Sequence, residues 1–383
     1  MKDWDAIVIG AGLIGLSLAI DLNKRGLKVL VVEKGEPGRE ASWAAGGMLA
    51  PFEVAQGLGE LARASAKMYP EFVRELEDES SIKIDFRDQG ALIFSDAGHS
   101  AGVWRGLPNT AASLEPAING PAATDLEARF SREQSVDPRH LTAAAIAAAK
   151  HRGTDFSAGD QVLAIEAVDG KTTGVRTNKT RFAAGLVVNC AGAWAGKIGE
   201  SQSDLLAGDT HFPNPARQMV PTRPVKGQML YVAMPEKALL RHVVRTPSVY
   251  LVPRSDGRLL IGTTHEEAGF DKRTVPETIQ KLYQAALKLV PKLAEARILE
   301  AWAGLRPGTP DNLPILGATE TPGYFVATGH FRDGILLAPV TARVMGQLIA
   351  GENPAFDLRP FELGRFRNTD ESWISLQRKS SPD

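Results

Sequence analysis

The feature that most constrains the fold is a strand-helix-strand pattern with three glycines at its first turn. Residues 5–33 contain an apolar run, a glycine turn, a stretch with helical spacing and a second apolar run that ends at Glu33. Gly10, Gly12 and Gly15 form GxGxxG at that turn. Such glycines let the backbone approach a pyrophosphate at a helix N-terminus, and the acid accepts from a ribose hydroxyl. The pattern predicts a Rossmann-type nucleotide site, and the carboxylate disfavours NADP.

Composition and charge exclude several classes of function. The chain has 383 residues, 43% hydrophobic and 23% charged, with a net charge of -1. We expect about two to three domains and no nucleic-acid partner. The single cysteine, Cys190, excludes an intrachain disulfide. Asp3 and Asp5 leave the N-terminus without a signal-peptide pattern, and the apolar stretch 6–20 is too short to span a membrane. These features predict a cytoplasmic protein without stable membrane association.

The rest of the chain alternates between helical and strand patterns. A helical pattern at 60–80 is broken at Pro70, and another helix begins at Asp137 and stops at Gly153. A hairpin is predicted at Asp169-Gly170. Further segments are predicted as two short strands around Gln89-Gly90, a buried strand ending at Asn189, a strand-rich region at 218–264 and a helix at 276–296.

A run of small residues, "GREASWAAGGMLAP" at 38–51, follows the second strand. Small side chains permit tight packing between a helix and a sheet. They also allow a flat ring system to lie against the backbone at Ala45, Gly46, Gly47 and Met48. The glycine motif alone does not separate NAD from FAD, and this segment helps, because we favour the second interpretation.

Five segments together resemble the D-amino-acid oxidase family of FAD enzymes, and most of all its glycine oxidase branch. They are "IVIGAGLIGLSLA", "EASWAAGGMLAP", "VVNCAGAWA", "WAGLRPGTPDNLPILG" and "GHFRDGILLAP". The resemblance extends from residue 5 to about 350. It implies an α/β fold, with a Rossmann-type FAD-binding domain and an α+β substrate domain on a mostly antiparallel sheet. The expected divisions are 1–84, 140–217 and 304–383 for the FAD-binding domain, and 85–139 and 218–303 for the substrate domain.

The resemblance also implies which residues bind FAD. The expected contacts are Gly10, Gly12, Leu13, Ile14, Gly15, Glu33, Lys34, Ala41, Ser42, Gly46, Gly47, Met48, Val162, Gly192, His330, Phe331, Arg332, Asp333, Gly334, Ile335 and Leu336. Related sarcosine oxidases attach flavin through a cysteine near the C-terminal catalytic region. Cys190 lies elsewhere, in a strand-turn segment, so we expect non-covalent FAD.

The resemblance assigns catalytic roles to Arg306, Tyr250 and Arg332. Arg306 binds the substrate carboxylate, since a guanidinium meets a carboxylate with two parallel bonds; the alternative is a loop arginine that pairs with Asp311. Tyr250 lies beside that carboxylate, or else is an ordinary core tyrosine. Arg332 stands beside the flavin on a turn before a helix whose N-terminus stabilises negative charge; the alternative is a solvent-facing arginine.

Met48 and His265 are expected to line the substrate pocket. His265 is a departure, because glycine oxidases have an apolar residue there, and a partly solvated surface histidine is the alternative. The remaining histidines show no metal-ligand spacing, so no metal is predicted. They are His99, His140, His151, His211, His242 and His330.

The activity implied is oxidative deamination of glycine, sarcosine or small D-amino acids, with dioxygen reduced to hydrogen peroxide. In the branch it resembles, the imine serves the thiazole of thiamine and the enzyme is a homotetramer. Three alternatives remain: a dehydrogenase that passes electrons to a quinone, an NAD-dependent dehydrogenase, and a flavin-containing binding protein without turnover.

Overall fold

Two large sheets organise the chain in the computed structural model, which describes residues 4–96, 114–120, 126–199 and 220–367. The strands are β1 Ala6–Ile9, β2 Val29–Glu33, β3 Met48–Leu49, β4 Phe86–Arg87, β5 Ala91–Asp96, β6 Leu126–Ser131, β7 Gln134–Val136, β8 Asp155–Ala158, β9 Val162–Val168, β10 Lys171–Thr177, β11 Arg181–Ala183, β12 Leu186–Asn189, β13 Arg223–Ala233, β14 Val243–Arg245, β15 Tyr250–Pro253, β16 Arg258–Gly262, β17 Arg297–Gly308, β18 Ile315–Ala318 and β19 Tyr324–Thr328. The α-helices are α1 Leu13–Lys24, α2 Ala41–Ala44, α3 Gly59–Ser80, α4 Pro138–His151, α5 Pro276–Leu289 and α6 Gly334–Ile349. Short 3-10 helices cover Gly192–Lys197, Pro291–Glu295, Arg359–Phe361 and Leu363–Phe366.

The first sheet has the order β18-β19-β12-β1-β2-β8 and is parallel except for the β18-β19 pair. Val8 of β1 belongs to a core that it shares with α1, α3, α4 and α6. Ile7, on the opposite face, packs in a core with β9 and β10 of the small sheet β11-β10-β9. Because both faces are covered, the strand is a continuous apolar run in the sequence. The predicted Rossmann-type βαβ unit is confirmed.

The second sheet has the order β17-β13-β16-β15-β14-β5-β6. Its pairs are antiparallel except β14-β5, as the mostly antiparallel sheet of the prediction requires. Leu282, Ala286 and Leu289 of α5 pack in one core with one face of this sheet. The other face, with Met229 and Trp302, packs against Ala44 of α2. That contact brings the second sheet against the nucleotide-binding half of the molecule.

Two helix predictions were wrong. Helix α3 continues through Pro70, since Tyr69 and Val73 on either side of it are buried in the helix core, and this burial outweighs the lost backbone bond. The helix predicted at 276–296 ends at Leu289, and a 3-10 turn follows from Pro291, where proline lacks the N–H that an α-helix needs. No helix among the described residues is long and apolar enough to cross a membrane.

Two of the expected domain boundaries fall inside structural elements. The boundary at residue 304 cuts β17, which pairs with β13 from Arg297 to Gly308. The boundary at 140 lies inside α4, whose N-cap Asp137 accepts a bond from the Arg139 amide at 2.9 Å. The strand pairing of β17 therefore indicates a boundary at about 309 instead of 304, and the N-cap of α4 indicates one at about 137 instead of 140. The division into two domains stays a prediction.

Candidate active site

One cavity of about 490 Å³ lies where the carboxyl ends of β1, β2, β12 and β19 approach the second sheet. Ligands of open α/β sheets bind at this edge. Most of the expected cofactor contacts line it. They are Gly10, Gly12, Leu13, Ile14, Glu33, Lys34, Ala41, Ser42, Gly46, Gly47, Met48, Val162, Gly192, His330, Phe331, Arg332, Gly334 and Ile335. Gly15, Asp333 and Leu336 do not line it.

The glycine turn permits a close approach of β1, α1 and β12. Gly10 has φ +102°, and a Cβ there would lie 2.7 Å from the Cys190 carbonyl oxygen. A Cβ on Gly15 would overlap the Gly10 carbonyl, so Gly15 serves helix packing and does not touch the cavity. The first turn of α1 has no acidic residue, and its N-cap residue, Gly12, has no side chain. The Leu13 amide donates to the Ser42 hydroxyl at 2.8 Å. The other amides of this turn and the helix dipole favour an anion at this end of the cavity.

Glu33 ends β2 with its carboxylate held by the backbone. It accepts from the Ala11 amide at 2.8 Å and the Gly35 amide at 3.0 Å, and it is 8% exposed. Beside it, the Lys34 Nζ lies 3.2 Å from the centroid of the Trp194 ring. Burial lowers the pKa of Lys34 to about 8. A carboxylate fixed in this way has lone pairs left for ribose hydroxyls.

The run of small residues forms a backbone wall of the cavity. The Gly46 carbonyl accepts from Arg254 at 2.8 Å, and a Cβ on Gly46 would lie 3.1 Å from the Tyr250 hydroxyl. Gly47 has φ +75°, and a Cβ there would overlap the Val136 carbonyl. Across the cavity, a Cβ on Gly192 would meet no atom within 4 Å and would project into free space. The walls therefore fit a flat, extended dinucleotide such as FAD.

The turn before α6 presents Arg332 to the cavity. Gly329 and Phe331 have φ of +76° and +47°, and the Phe331 amide donates to the Pro307 carbonyl at 2.9 Å. His330 is buried, with Nε2 3.0 Å from the Thr341 hydroxyl, and burial lowers its pKa to about 3, so it is neutral. Arg332 itself is exposed.

Two further residues of this segment do not line the cavity. Asp333 occupies the N-cap position of α6 without a side-chain cap bond, and burial raises its pKa to about 6. Leu336 is 2% exposed in the helix core, and its carbonyl accepts from the Ser65 hydroxyl at 2.6 Å. Sequence alone could not separate them from their neighbours, because helical geometry decides which positions turn inward.

Arg306 on β17 lines the same cavity without an acidic partner. Its Nη1 donates to the Lys226 and Thr264 carbonyls at 3.3 and 3.2 Å, and its Nη2 donates to the Thr263 hydroxyl at 2.9 Å. Asp311, the alternative partner, instead pairs with Arg365, with Nε and Oδ2 2.8 Å apart. Burial lowers the pKa of Arg306. The Arg306 guanidinium is thus held by neutral oxygens. No carboxylate of the described residues is hydrogen-bonded to it in the place that a ligand carboxylate would take.

Tyr250, Met48 and His265 complete the expected pocket. All three line the cavity. The Tyr250 hydroxyl lies 3.4 Å from the Met229 Sδ, and burial raises the pKa of this tyrosine. His265 is exposed at the rim, with its ring centroid 5.9 Å from that of Phe331. The structure thus brings every predicted catalytic and pocket residue to one cavity.

Sequence reasoning missed Arg254, whose side chain ties the two halves together. It is 2% exposed and donates to the Val136 and Gly46 carbonyls at 2.8 Å each. Its Nε also donates to the Tyr231 hydroxyl at 3.3 Å. The available signal was an arginine directly after the apolar strand "YLV" and Pro253, where a charge needs buried partners.

Within the described residues, no group of three or more His, Cys, Asp or Glu side chains could hold a metal ion. Two of the histidines considered in the sequence, His99 and His211, lie outside that part of the chain. The absence of metal therefore stays a prediction for the whole chain.

Comparison with known proteins agrees with this geometry. The DAO family, described as FAD dependent oxidoreductase, matches residues 5–348. The chain is 32% identical to the bifunctional protein ThiO/ThiG of Trichormus variabilis over 95% of its own length, but spans only 55% of that protein. It is 31% identical to the hydrogen cyanide synthase subunit HcnC of Pseudomonas aeruginosa, covering 96% of this chain and 97% of the relative.

A solved structure extends the comparison to the fold. The crystal structure of glycine oxidase from Geobacillus kaustophilus superimposes with a TM-score of 0.85 at 31% identity, covering 95% of this chain and 99% of that one. The range that the family matches, residues 5–348, contains the glycine turn, the backbone wall and both arginines of the cavity. The chain therefore belongs to the D-amino-acid oxidase family of FAD-dependent oxidoreductases.

Proposed function

We propose that this protein oxidises glycine and related small amines, such as sarcosine and small D-amino acids, to imino acids that water converts to oxo acids. The observation that carries the proposal is the position of Arg306 and Tyr250 in the cavity that fits FAD. A guanidinium bound only to neutral oxygens, beside a phenol, is suited to hold an amino acid's carboxylate. Similarity to glycine oxidases supports the same assignment.

The contribution of the chain is mainly orientation. Bound FAD supplies the acceptor for the hydride of the substrate α-carbon and returns the electrons to dioxygen as hydrogen peroxide. Arg306 and Tyr250 fix the carboxylate, which places the α-carbon and a neutral amine at a constant position. Arg332 borders that position on the turn before α6. The dinucleotide would be held by the glycine turn, Glu33 and the Gly46-Gly47 backbone.

We further propose that FAD is bound non-covalently, because the Cys190 thiol is 7% exposed and burial raises its pKa. A cytoplasmic homotetramer that supplies an imine for the thiazole of thiamine is the assembly and role we infer from the resemblance to the glycine oxidase branch. Light scattering of the purified holoprotein measures the subunit number.

The test is a peroxide-coupled assay over glycine, sarcosine and D-alanine with the wild type and Arg306→Ala. Loss of the carboxylate contact is expected to lower kcat/KM by about 100-fold or more while FAD content stays the same. Arg343→Ala, on the exposed side of α6, is the matched control and should match the wild type. Equal activity of Arg306→Ala and wild type would refute the assignment.

The second candidate function is oxidation of the same amines with a quinone, in place of dioxygen, as the electron acceptor. The chain is as similar to a hydrogen cyanide synthase subunit as to glycine oxidases, with 31% and 30% identity to those of Pseudomonas aeruginosa. The two functions differ in one measurable quantity. Turnover with a soluble quinone that exceeds turnover with air-saturated buffer, without peroxide, identifies the dehydrogenase.

A further inference from the structure

The three oxygens that orient the Arg306 guanidinium lie where two neighbouring strands stop pairing regularly. They are the Thr263 hydroxyl and the Thr264 carbonyl, directly after β16, and the Lys226 carbonyl of β13. None of them belongs to β17, the strand that carries Arg306. The direction of the guanidinium therefore depends on how the segment after β16 is held against β13.

The segment after β16 forms a β-bulge. Regular pairing with β13 ends at Gly262, opposite Met229, and one bridge follows between Glu266 and Lys226. Three residues of this segment, 263–265, thus face only two residues of β13. A bulge interrupts the ladder of backbone hydrogen bonds, and bulges are frequent beside active sites, where they redirect side chains. Other contacts must therefore fix the position of this bulge.

Gln228 of β13 supplies those contacts and is fully buried. Its backbone amide donates to the Thr264 hydroxyl at 2.9 Å, and its side-chain Nε2 donates to the Glu266 carboxylate at 2.8 Å. The Thr264 hydroxyl donates to the same carboxylate oxygen. The Val275 amide donates to the Gln228 Oε1 at 2.7 Å, which fixes the orientation of the side-chain amide, because a backbone N–H can only donate. The Gln228 side chain thus joins β13 to both ends of the segment 266–275.

The Gln228 side chain and the guanidinium lie on opposite faces of the sheet. A Cβ on Gly227 would overlap the Arg306 Nη2, so the guanidinium covers β13 on the face that lines the cavity. Successive side chains of a strand alternate between the two faces. Gln228 accordingly does not line the cavity, and neither does Glu266. Gln228 can act on a ligand only through the bulge and Arg306.

A guanidinium binds a carboxylate most tightly when two parallel hydrogen bonds are aligned, so a small rotation weakens the contact. We propose that Gln228 is a positioning residue that sets the direction of Arg306 by fastening the bulge, an inference that rests on the proposed binding of substrate carboxylate by Arg306. Loss of the Gln228 amide leaves the Val275 N–H without its acceptor and removes one donor from the Glu266 carboxylate. The bulge then has more freedom, and ordering it on binding lowers the affinity.

This role differs from a purely electrostatic one. Burial lowers the pKa of Arg306, and the negative charge of Glu266 opposes that effect. Substitution of Gln228 by methionine changes no charge and keeps a similar volume. A purely electrostatic role of this network therefore predicts no change in the Gln228→Met variant, whereas the positioning role predicts weaker binding of carboxylates.

Two ethers of nearly the same shape measure the contact with Arg306 without turnover. Methoxyacetate carries a carboxylate, whereas methoxyacetamide carries a neutral amide. Titration of the holoenzyme, followed by the flavin absorbance bands, gives a Kd for each, and their ratio is the carboxylate preference. Gln228→Met is expected to lower this preference about 10-fold. The matched control is Gln89→Met, which removes an amide that donates to the Ser135 hydroxyl at 2.8 Å and does not line the cavity, and it should keep the preference.

Two further sets of variants show whether the effect passes through the bulge and Arg306. In an Arg306→Met background, Gln228→Met should cause no further change, because the group that it positions is gone. Thr264→Val removes the hydroxyl between Gln228 and Glu266 and should also lower the preference, whereas Thr264→Ser should keep it. An unchanged preference in Gln228→Met, or an equal loss in the Arg306→Met background, would overturn the inference. If Gln228→Met does not fold, an unchanged preference in Thr264→Val overturns it instead.

Peroxide release separates this inference from the function on which it rests. Oxidation of glycine by the wild type, with a carboxylate preference that Gln228→Met retains, leaves the proposed function standing and refutes the positioning role. A preference that Gln228→Met loses, without peroxide from any amine, refutes the proposed oxidation and keeps the positioning role. A wild type without carboxylate preference refutes both the role of Arg306 and that of Gln228.

Discussion

Replacement of Arg254 by methionine tests whether one buried guanidinium holds the two halves of the molecule together. The side chain is 2% exposed and donates to the carbonyls of Gly46 in the cofactor wall and Val136 in β7, both at 2.8 Å. Methionine fills a similar volume but has no donor. The change therefore leaves two carbonyl oxygens without their donor, that of Val136 in a buried place and that of Gly46 in a half-buried one at the cavity wall.

The expected loss in the free energy of unfolding follows from the two carbonyl oxygens that lose their hydrogen-bond donor. Each buried acceptor without a donor costs roughly 1–3 kcal/mol, and the variant is relieved of holding a buried charge, so we expect a net loss of about 3 kcal/mol. The melting temperature should fall by roughly 5 °C. Since Gly46 also lines the cavity, the Kd for FAD should rise by about 10-fold.

Flavin fluorescence, which rises when FAD is released, measures both quantities. Heating the holoprotein gives the melting temperature, and titration of apoprotein with FAD gives the Kd. Arg254→Lys should recover part of each loss, because an ammonium reaches one carbonyl at a time. Arg343→Met, on the exposed face of α6, controls for loss of charge. If Arg254→Met melts within about 1 °C of the wild type and binds FAD equally, the guanidinium does not perform this role.

Three further predictions test other parts of the site. Gly10→Ala places a Cβ 2.7 Å from the Cys190 carbonyl oxygen at φ +102°, so the FAD content of the purified protein should fall below about one tenth of the wild-type value. Gly26→Ala, at φ +84° with no atom within 4 Å of its Cβ, is the control and should keep its FAD. The ratio of absorbance at 450 nm to that at 280 nm measures FAD content. Burial raises the pKa of Asp333 from 3.8 to about 6, so the folded state binds the proton more tightly than the unfolded state. The wild type therefore loses stability as pH rises from about 4 through 6. In denaturant titrations, Asp333→Asn should be about 1–3 kcal/mol more stable than the wild type at pH 8 and equal to it at pH 4. Acid precipitation should leave a colourless protein pellet from both the wild type and Cys190→Ala, while a yellow pellet from the wild type alone would contradict non-covalent binding.

Local chemistry explains which parts of the fold were predictable from sequence. The Asp137 side chain accepts from the Arg139 amide two residues later, so the start of α4 depends on adjacent residues. The hairpin at Asp169 and Gly170 likewise depends on two residues with positive φ. Pro70 shows the limit of this reasoning. Whether a proline ends a helix depends on how firmly the next turn is packed, and here Val73 is buried against distant helices.

The three arginines of the site show why its chemistry had to be established from hydrogen-bond partners. In sequence, Arg254, Arg306 and Arg332 each adjoin apolar strands or turns. In the structure, the donors of Arg254 reach a phenol and backbone oxygens as far as 208 residues away, so it can only hold the walls in place. Arg306 is oriented by neutral oxygens and makes no ion pair with any described residue. Arg332 is bound by no described residue and is therefore the donor most available to a ligand. Because the donors of Arg254 are bound by protein atoms and those of Arg332 are not, variants of Arg254 should affect stability and FAD binding, and variants of Arg332 should affect ligand binding in the cavity.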